Sequence, residues 1–224
     1  MDQCPSPNHD ARKDGGIIDM VVLHYTGMVD CQAALDRLCD PAAKVSAHYL
    51  IDESGRVTSL VAEERRAWHA GQAFWRGHTD INGRSIGIEL VNPGHEFGLT
   101  PFPDDQMAAL IDLCGEILSR HRVPPVNIVG HCDIAPRRKQ DPGELFAWQR
   151  LAQAGFGLWP DIPNAAQRPV PEMLAAIGYE TLDLEKTIQA FQRHYRPNLI
   201  DGLPDEETVG LIAAVVDLAS DPVV

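Results

Sequence analysis

With 224 residues, 44% of them hydrophobic and 23% charged, the chain suits one sizeable globular domain plus a small module. No apolar run approaches the ~18 residues of a membrane-spanning helix, so no membrane span is expected. The formal net charge of −13 argues against nucleic acid or an anionic membrane as partner, because phosphate binding wants a basic surface.

The five cysteines (Cys4, Cys31, Cys39, Cys114 and Cys132) form no CxxC pair and are odd in number. That is the pattern of free thiols in a reducing compartment rather than of a disulfide framework. The N-terminus shows neither a basic segment nor an apolar one of the signal-peptide kind. A cytoplasmic location is therefore expected, with a periplasmic or outer-membrane-anchored protein as the alternative if an export leader has been removed.

In chain order, residues 1–16 read as a polar N-terminal arm. A buried strand is expected over 17–23, running into His24 and Tyr25. Residues 31–39 carry Ala34, Leu35 and Leu38 at helical spacing. Strands at 48–51 and 57–61 flank a glycine-containing turn, which predicts a hairpin. A strand follows at 85–91. The clearest helix spans 104–121, where Met107, Leu110, Ile111, Cys114, Ile117 and Leu118 make one apolar stripe and Pro124 lies beyond its end. A short strand at 126–130 leads to His131, and a short helix follows at 146–154. Strands interspersed with helices predict an α/β sheet covered by helices and ending near Pro160. Residues 161–170 read as a linker by their proline content. Residues 171–224 hold three amphipathic helices, at about 171–177, 182–195 and 204–218.

Among nine histidines, His24 and His131 stand apart because each follows an apolar strand. In an open α/β sheet, side chains at adjacent strand ends meet in one crevice, where ligands bind. Asp141 lies ten positions after His131, and two histidines with one carboxylate match a catalytic zinc set with its fourth position open. Cys132 is an improbable ligand, since neighbours in extended chain point apart. On spacing alone, the sequence GHCDIAPRRKQDPG reads equally as a solvated loop.

Zinc would acidify water and polarise a carbonyl; amide hydrolysis then still needs a base and an oxyanion stabiliser. Glu89, inside the apolar strand SIGIELV, is the candidate base, although an ordinary amphipathic strand facing solvent accounts for it as well. Lys139, two residues from Asp141, projects the same way in extended backbone and is the candidate oxyanion partner; its other reading is one more solvated lysine beside Arg137 and Arg138. Trp68 and His69, followed by small residues, suit a cleft wall or, for Trp68, core packing. His48 and Tyr49 point to opposite faces, so one of them is available to the site.

Five segments in order, VVLHYTG, VSAHYLIDESG, WHAG, SIGIELVNPG and GHCDIAPRRKQDPG, resemble the zinc-dependent N-acetylmuramoyl-L-alanine amidases of the amidase-2 (AmpD/AmiD) type, over about 17–160. The later segment AFQRHYRPNLIDGLPDEET resembles a three-helix peptidoglycan-binding domain. The resemblance implies a central mixed β-sheet flanked by helices and one Zn²⁺ held by His24, His131 and Asp141. It places Glu89 and Lys139 as catalytic residues. Tyr49 falls on an aromatic position near the site, and Trp68, His69 and Arg138 are the remaining candidate substrate contacts. The implied partners are peptidoglycan fragments (muropeptides), cleaved between N-acetylmuramic acid, or its 1,6-anhydro form, and L-alanine. Two rivals are a peptidoglycan binder without activity and a zinc peptidase on the stem peptide. The first typically lacks a ligand that is present here, and for the second HExxH is absent.

Overall fold

The computed structural model describes residues 1–13, 16–166 and 168–220. Residues 14 and 15 of the expected N-terminal arm, Gln167 of the expected linker and residues 221–224 of the expected C-terminal module lie outside the described residues.

Six strands make a mixed sheet: β1 (Asp2–Gln3), β3 (Met20–Tyr25), β4 (Tyr49–Ile51), β5 (Val57–Ser59), β7 (Ser85–Leu90) and β8 (Ile128–Gly130). Their order is β1-β5-β4-β7-β3-β8. The central pairs β4/β7, β7/β3 and β3/β8 are parallel, while β4 and β5 form the antiparallel hairpin. Two further short strands, β2 (His9–Ala11) and β6 (Arg65–Ala67), pair antiparallel.

Alternation along the strands divides the sheet into two faces. On one, Val21, Leu23, Ile51, Ile86, Ile88 and Leu90 are buried against the apolar stripe of α3 (Asp104–Arg120). On the other, Met20, Val22 and Val129 share a continuous core with α6 (Val170–Ile177), α7 (Leu184–Tyr195) and α8 (Glu206–Ser220), through Leu174, Ile188, Phe191 and Val215 among others. Further along, α1 (Cys31–Cys39) packs Ala34 and Leu38 with Leu50 and Val91. The remaining helices are short: α2 (Gly94–Phe97), α4 (His131–Ile134) and α5 (Trp148–Gln153).

The C-terminal helices are tied to α4 by a polar hub as well as by the core. Asp133, fully buried, accepts from the Gly130 amide at 2.7 Å, the Tyr179 hydroxyl at 2.7 Å and His194 Nδ1 at 2.8 Å. The His194 ring is stacked on Trp148 and on Tyr195, with centroids 3.7 and 3.9 Å away. A buried carboxylate is costly unless hydrogen-bonded, so Tyr179 and His194 support the segment that begins with His131.

The N-terminal arm is more ordered than its composition predicts. β1 adds to the sheet edge beside β5, and the Arg12 guanidinium donates to the carbonyls of Glu63, Asn82 and Ser85. Strands of two or three residues carry no readable period, and these are ordered by tertiary partners. The Cys4 and Cys39 sulfurs lie 3.3 Å apart as thiols.

Tyr49, expected as a substrate contact, packs on the α3 face and is not among the cleft-lining residues. Its register partner is Ile88, which puts it on the α3 face, and its hydroxyl donates to Glu63 Oε1 at 2.6 Å. Arg120 and His121 bond the same carboxylate. Burial pushes the Glu63 carboxyl up, but hydrogen bonds from Arg120, Tyr49 and His121 outweigh it and bring the group down to about 2 from 4.5. A folded-state pKa below the unfolded one means that this stabilisation is complete above pH 4.5 and is lost as pH falls toward 2. Glu63→Gln is therefore expected to lower Tm at pH 7 by several degrees, with the gap from wild type narrowing between those two pH values; a gap independent of pH in a melting series would contradict this.

Candidate active site and metal centre

The parallel strands β3, β7 and β8 end at one edge, and the chemistry gathers there. His24 is the fifth residue of β3 and pairs in register with Glu89 of β7. His131 follows β8 directly as the first residue of α4. Asp141 returns to the same point because the loop after α4 is closed by a hydrogen bond from the Cys132 amide to the Asp141 carbonyl, 2.9 Å long. Gly130 permits the close approach: a Cβ there would sit 2.7 Å from Pro142 Cδ.

Three donor atoms converge. His24 Nδ1 lies 2.9 Å from His131 Nδ1 and 3.0 Å from Asp141 Oδ2, and His131 Nδ1 lies 3.0 Å from that same oxygen. All three residues are buried. His131 Nε2 is 3.0 Å from the Ala70 carbonyl. A carbonyl only accepts, so Nε2 carries a proton toward it and Nδ1 is the atom turned to His24 and Asp141. Burial drives the His24 imidazolium down to about 4, reinforced by His131 and opposed by Asp141. Burial alone would raise the Asp141 carboxyl, but His131 and His24 hold it well below the usual carboxylate range. Two imidazole nitrogens and a carboxylate oxygen thus lie about 3 Å from one another, a donor set that a cation among them would satisfy. Two imidazole nitrogens and one carboxylate oxygen fit a tetrahedral zinc with its fourth position left to water or substrate.

A cleft of about 460 Å³ opens over these atoms, within the size range of small-molecule sites. Glu89, Lys139, Trp68 and Arg138 line it. Glu89 Oε2 is out of solvent and has no hydrogen-bond partner among the described residues. Burial, and then repulsion from Asp141, push the Glu89 carboxyl well above the usual range, with Lys139 pulling the other way. That environment suits a group that takes up and returns a proton.

Two of the expected substrate contacts have other partners. His69 reaches the cleft wall, but both its ring nitrogens are engaged, Nδ1 with His24 Nε2 at 3.0 Å and Nε2 with Ser85 Oγ at 3.0 Å. Arg138 is exposed on the cleft while its guanidinium donates to the carbonyls of Ala70 and Gln72. Three further cleft residues, Tyr25, Arg37 and His95, carry no signal of their own in the sequence. Tyr25 merely follows a strand-end histidine, Arg37 lies on the exposed side of α1, and His95 reads as a loop residue. In the structure the Tyr25 hydroxyl is 3.0 Å from His95 Nδ1, and His95 Nε2 is 3.0 Å from Glu144.

The family model for N-acetylmuramoyl-L-alanine amidase (Amidase_2) matches residues 14–144. N-acetylmuramoyl-L-alanine amidase AmiD of Escherichia coli is 39% identical, over 89% of this chain and 83% of that protein. Its solved complex with the substrate anhydro-N-acetylmuramic acid-L-Ala-D-γ-Glu-L-Lys superposes with a TM-score of 0.82, covering 95% of this chain and 94% of that one. 1,6-Anhydro-N-acetylmuramyl-L-alanine amidase AmpD of Haemophilus influenzae is 37% identical over 66% of this chain and 88% of its own length. AmpDh3 of Pseudomonas aeruginosa, solved with an anhydromuramic pentapeptide, gives a TM-score of 0.82 at 34% identity, covering 92% of this chain and 94% of that one. A strand-edge cluster of two imidazole nitrogens and a carboxylate, with a half-buried glutamate beside it, thus occurs in a chain that belongs to the N-acetylmuramoyl-L-alanine amidase family.

Proposed function

We propose that this chain is a zinc-dependent amidase that hydrolyses the bond between the muramic lactyl group and L-alanine in soluble muropeptides, the 1,6-anhydro form included. The observation that carries the zinc assignment is the convergence of His24 Nδ1, His131 Nδ1 and Asp141 Oδ2 within about 3 Å of one another, a donor set that suits a cation. Zinc bound there supplies Lewis-acid polarisation of a water and of the scissile carbonyl.

The chain's own residues do the rest. Glu89, held out of solvent beside the three ligands, takes the proton of the attacking water and passes it to the departing nitrogen of L-alanine. Lys139, in the same cleft, offsets the charge that develops on the carbonyl oxygen. Arg37 and Arg138 put positive charge on the cleft of an otherwise acidic protein. Stem peptides carry carboxylates, and local cations in a cleft raise the encounter rate with such ligands. The anhydro-muropeptide ligands of AmiD and AmpDh3 support this class of substrate here.

The C-terminal segment over 171–220, whose sequence resembles a peptidoglycan-binding domain, shares a core with the sheet and supplies Tyr179, between α6 and α7, and His194 to Asp133. This supports a scaffolding role for them in the catalytic unit, whether or not they also touch glycan.

Wild-type protein is expected to hold about one zinc per chain by elemental analysis, and Asp141→Ala to lose it together with activity. Stoichiometric zinc in the Asp141→Ala protein would remove Asp141 from the ligand set. Glu89→Gln is expected to keep the metal and the fold and to lower turnover of an anhydro-muropeptide by roughly 10²–10⁴-fold. Turnover within a few-fold of wild type would show that the proton carrier is another group.

A further inference from the structure

We infer that His69 is a positioning residue: through a proton relay anchored at Ser85 it holds His24 in the tautomer whose Nδ1 is free to bind metal. The inference rests on the zinc reading above and extends it to a residue that touches neither metal nor substrate through a nitrogen.

The direction of every proton in the relay follows from its far end. The Ser85 hydroxyl lies 2.7 Å from the Ile81 carbonyl. A hydroxyl has one proton and a carbonyl none, so Ser85 donates to Ile81. Ser85 Oγ then meets His69 Nε2, 3.0 Å away, as acceptor, and Nε2 carries the proton. The His69 ring faces His24 and His48, and the Arg12 guanidinium donates to the Ser85 carbonyl at 2.8 Å. An imidazole with its one proton on Nε2 presents Nδ1 as an acceptor. His24 Nε2, 3.0 Å from that atom, must donate to it, and His24 Nδ1 is left bare toward His131 and Asp141.

The niche is built to keep the His69 ring in this pose. Gly87 of β7 lies against it, and a Cβ at that position would fall 2.4 Å from His69 Cγ. The backbone amides of His69 and Ala70 both donate to Asn82 Oδ1, at 3.1 and 2.8 Å. Without His69, His24 is free to protonate Nδ1 and donate to Asp141 Oδ2, an internal bond that competes with the metal. Partners of this kind are worth about 10–100-fold in metal affinity.

The test uses the full chain and two readouts. Zinc affinity is measured by competition with a chromophoric chelator. The ring tautomer of His24 is read from ¹⁵N shifts in the metal-free protein. His69→Leu removes the acceptor and Ser85→Ala removes the anchor with little change in volume. His69→Asn keeps an acceptor oxygen where Nδ1 stands. We expect His69→Leu and Ser85→Ala to weaken zinc by roughly 10–100-fold and to shift His24 toward the Nδ1–H form. His69→Asn should recover most of the affinity. Wild-type affinity in both His69→Leu and Ser85→Ala, or a His24 that stays protonated on Nε2 in both, would overturn the relay. A wild-type protein that binds no zinc would overturn the metal reading instead, and the His24 tautomer in the metal-free chain would still decide the relay.

Discussion

Two imidazole nitrogens and a carboxylate oxygen gathered about 3 Å apart are a donor set for a cation, and much of this molecule can be understood as the frame that holds them there. Parallel β3 and β8 bring two histidines to the same edge of the sheet. A loop closed by a backbone hydrogen bond returns Asp141 to them. The Ala70 carbonyl fixes the proton of His131 on its far nitrogen, so the ring presents a ligand rather than a donor. Residues distant in sequence carry the supports: Asp133, held by Tyr179 from the segment after α6 and by His194 of α7, caps the segment that starts with His131. Preorganisation of this kind means that metal binding and substrate polarisation do not wait on rearrangement of the protein.

The same desolvation that makes the ligand cluster demand a cation also sets the character of its neighbours. Glu89 sits one strand away from His24 in register, and burial favours its protonated form. Burial makes its carboxylate a stronger base than one in water, which suits it to accept a proton and return it within one turnover. Lys139 and Arg138 come from the loop that also provides Asp141, so one segment carries a candidate ligand and positive charge on the cleft of a chain of net charge −13.

Much of the site is legible in the sequence because each key residue is marked by its local context. His24 and His131 stand at the ends of apolar strands, Glu89 interrupts one, and Lys139 and Asp141 share a proline-flanked loop. Tyr49 shows the limit. Alternation separates it from His48, but only the register with Ile88 decides which of the two faces α3. His69 shows another: its sequence context marks it as unusual, yet its two hydrogen bonds come from β3 and β7, which are far away in sequence. The strands of the N-terminal arm are invisible for the same reason, since two or three residues form a strand only when a partner is present. His95 reads as a surface histidine until Tyr25 and Glu144 are placed beside it.

The claim on which the rest depends is that this cluster holds zinc and that the zinc-loaded cleft cuts a muramic–alanine amide. The most direct measurement is cleavage of a purified anhydro-muropeptide tripeptide by the protein as isolated, after chelation, and after zinc is restored, with products identified by mass. The account predicts activity that disappears on chelation, returns with zinc, and releases a tripeptide with a free N-terminal L-alanine. Undiminished cleavage by protein shown to be free of metal, or cleavage at a bond within the peptide, would contradict it.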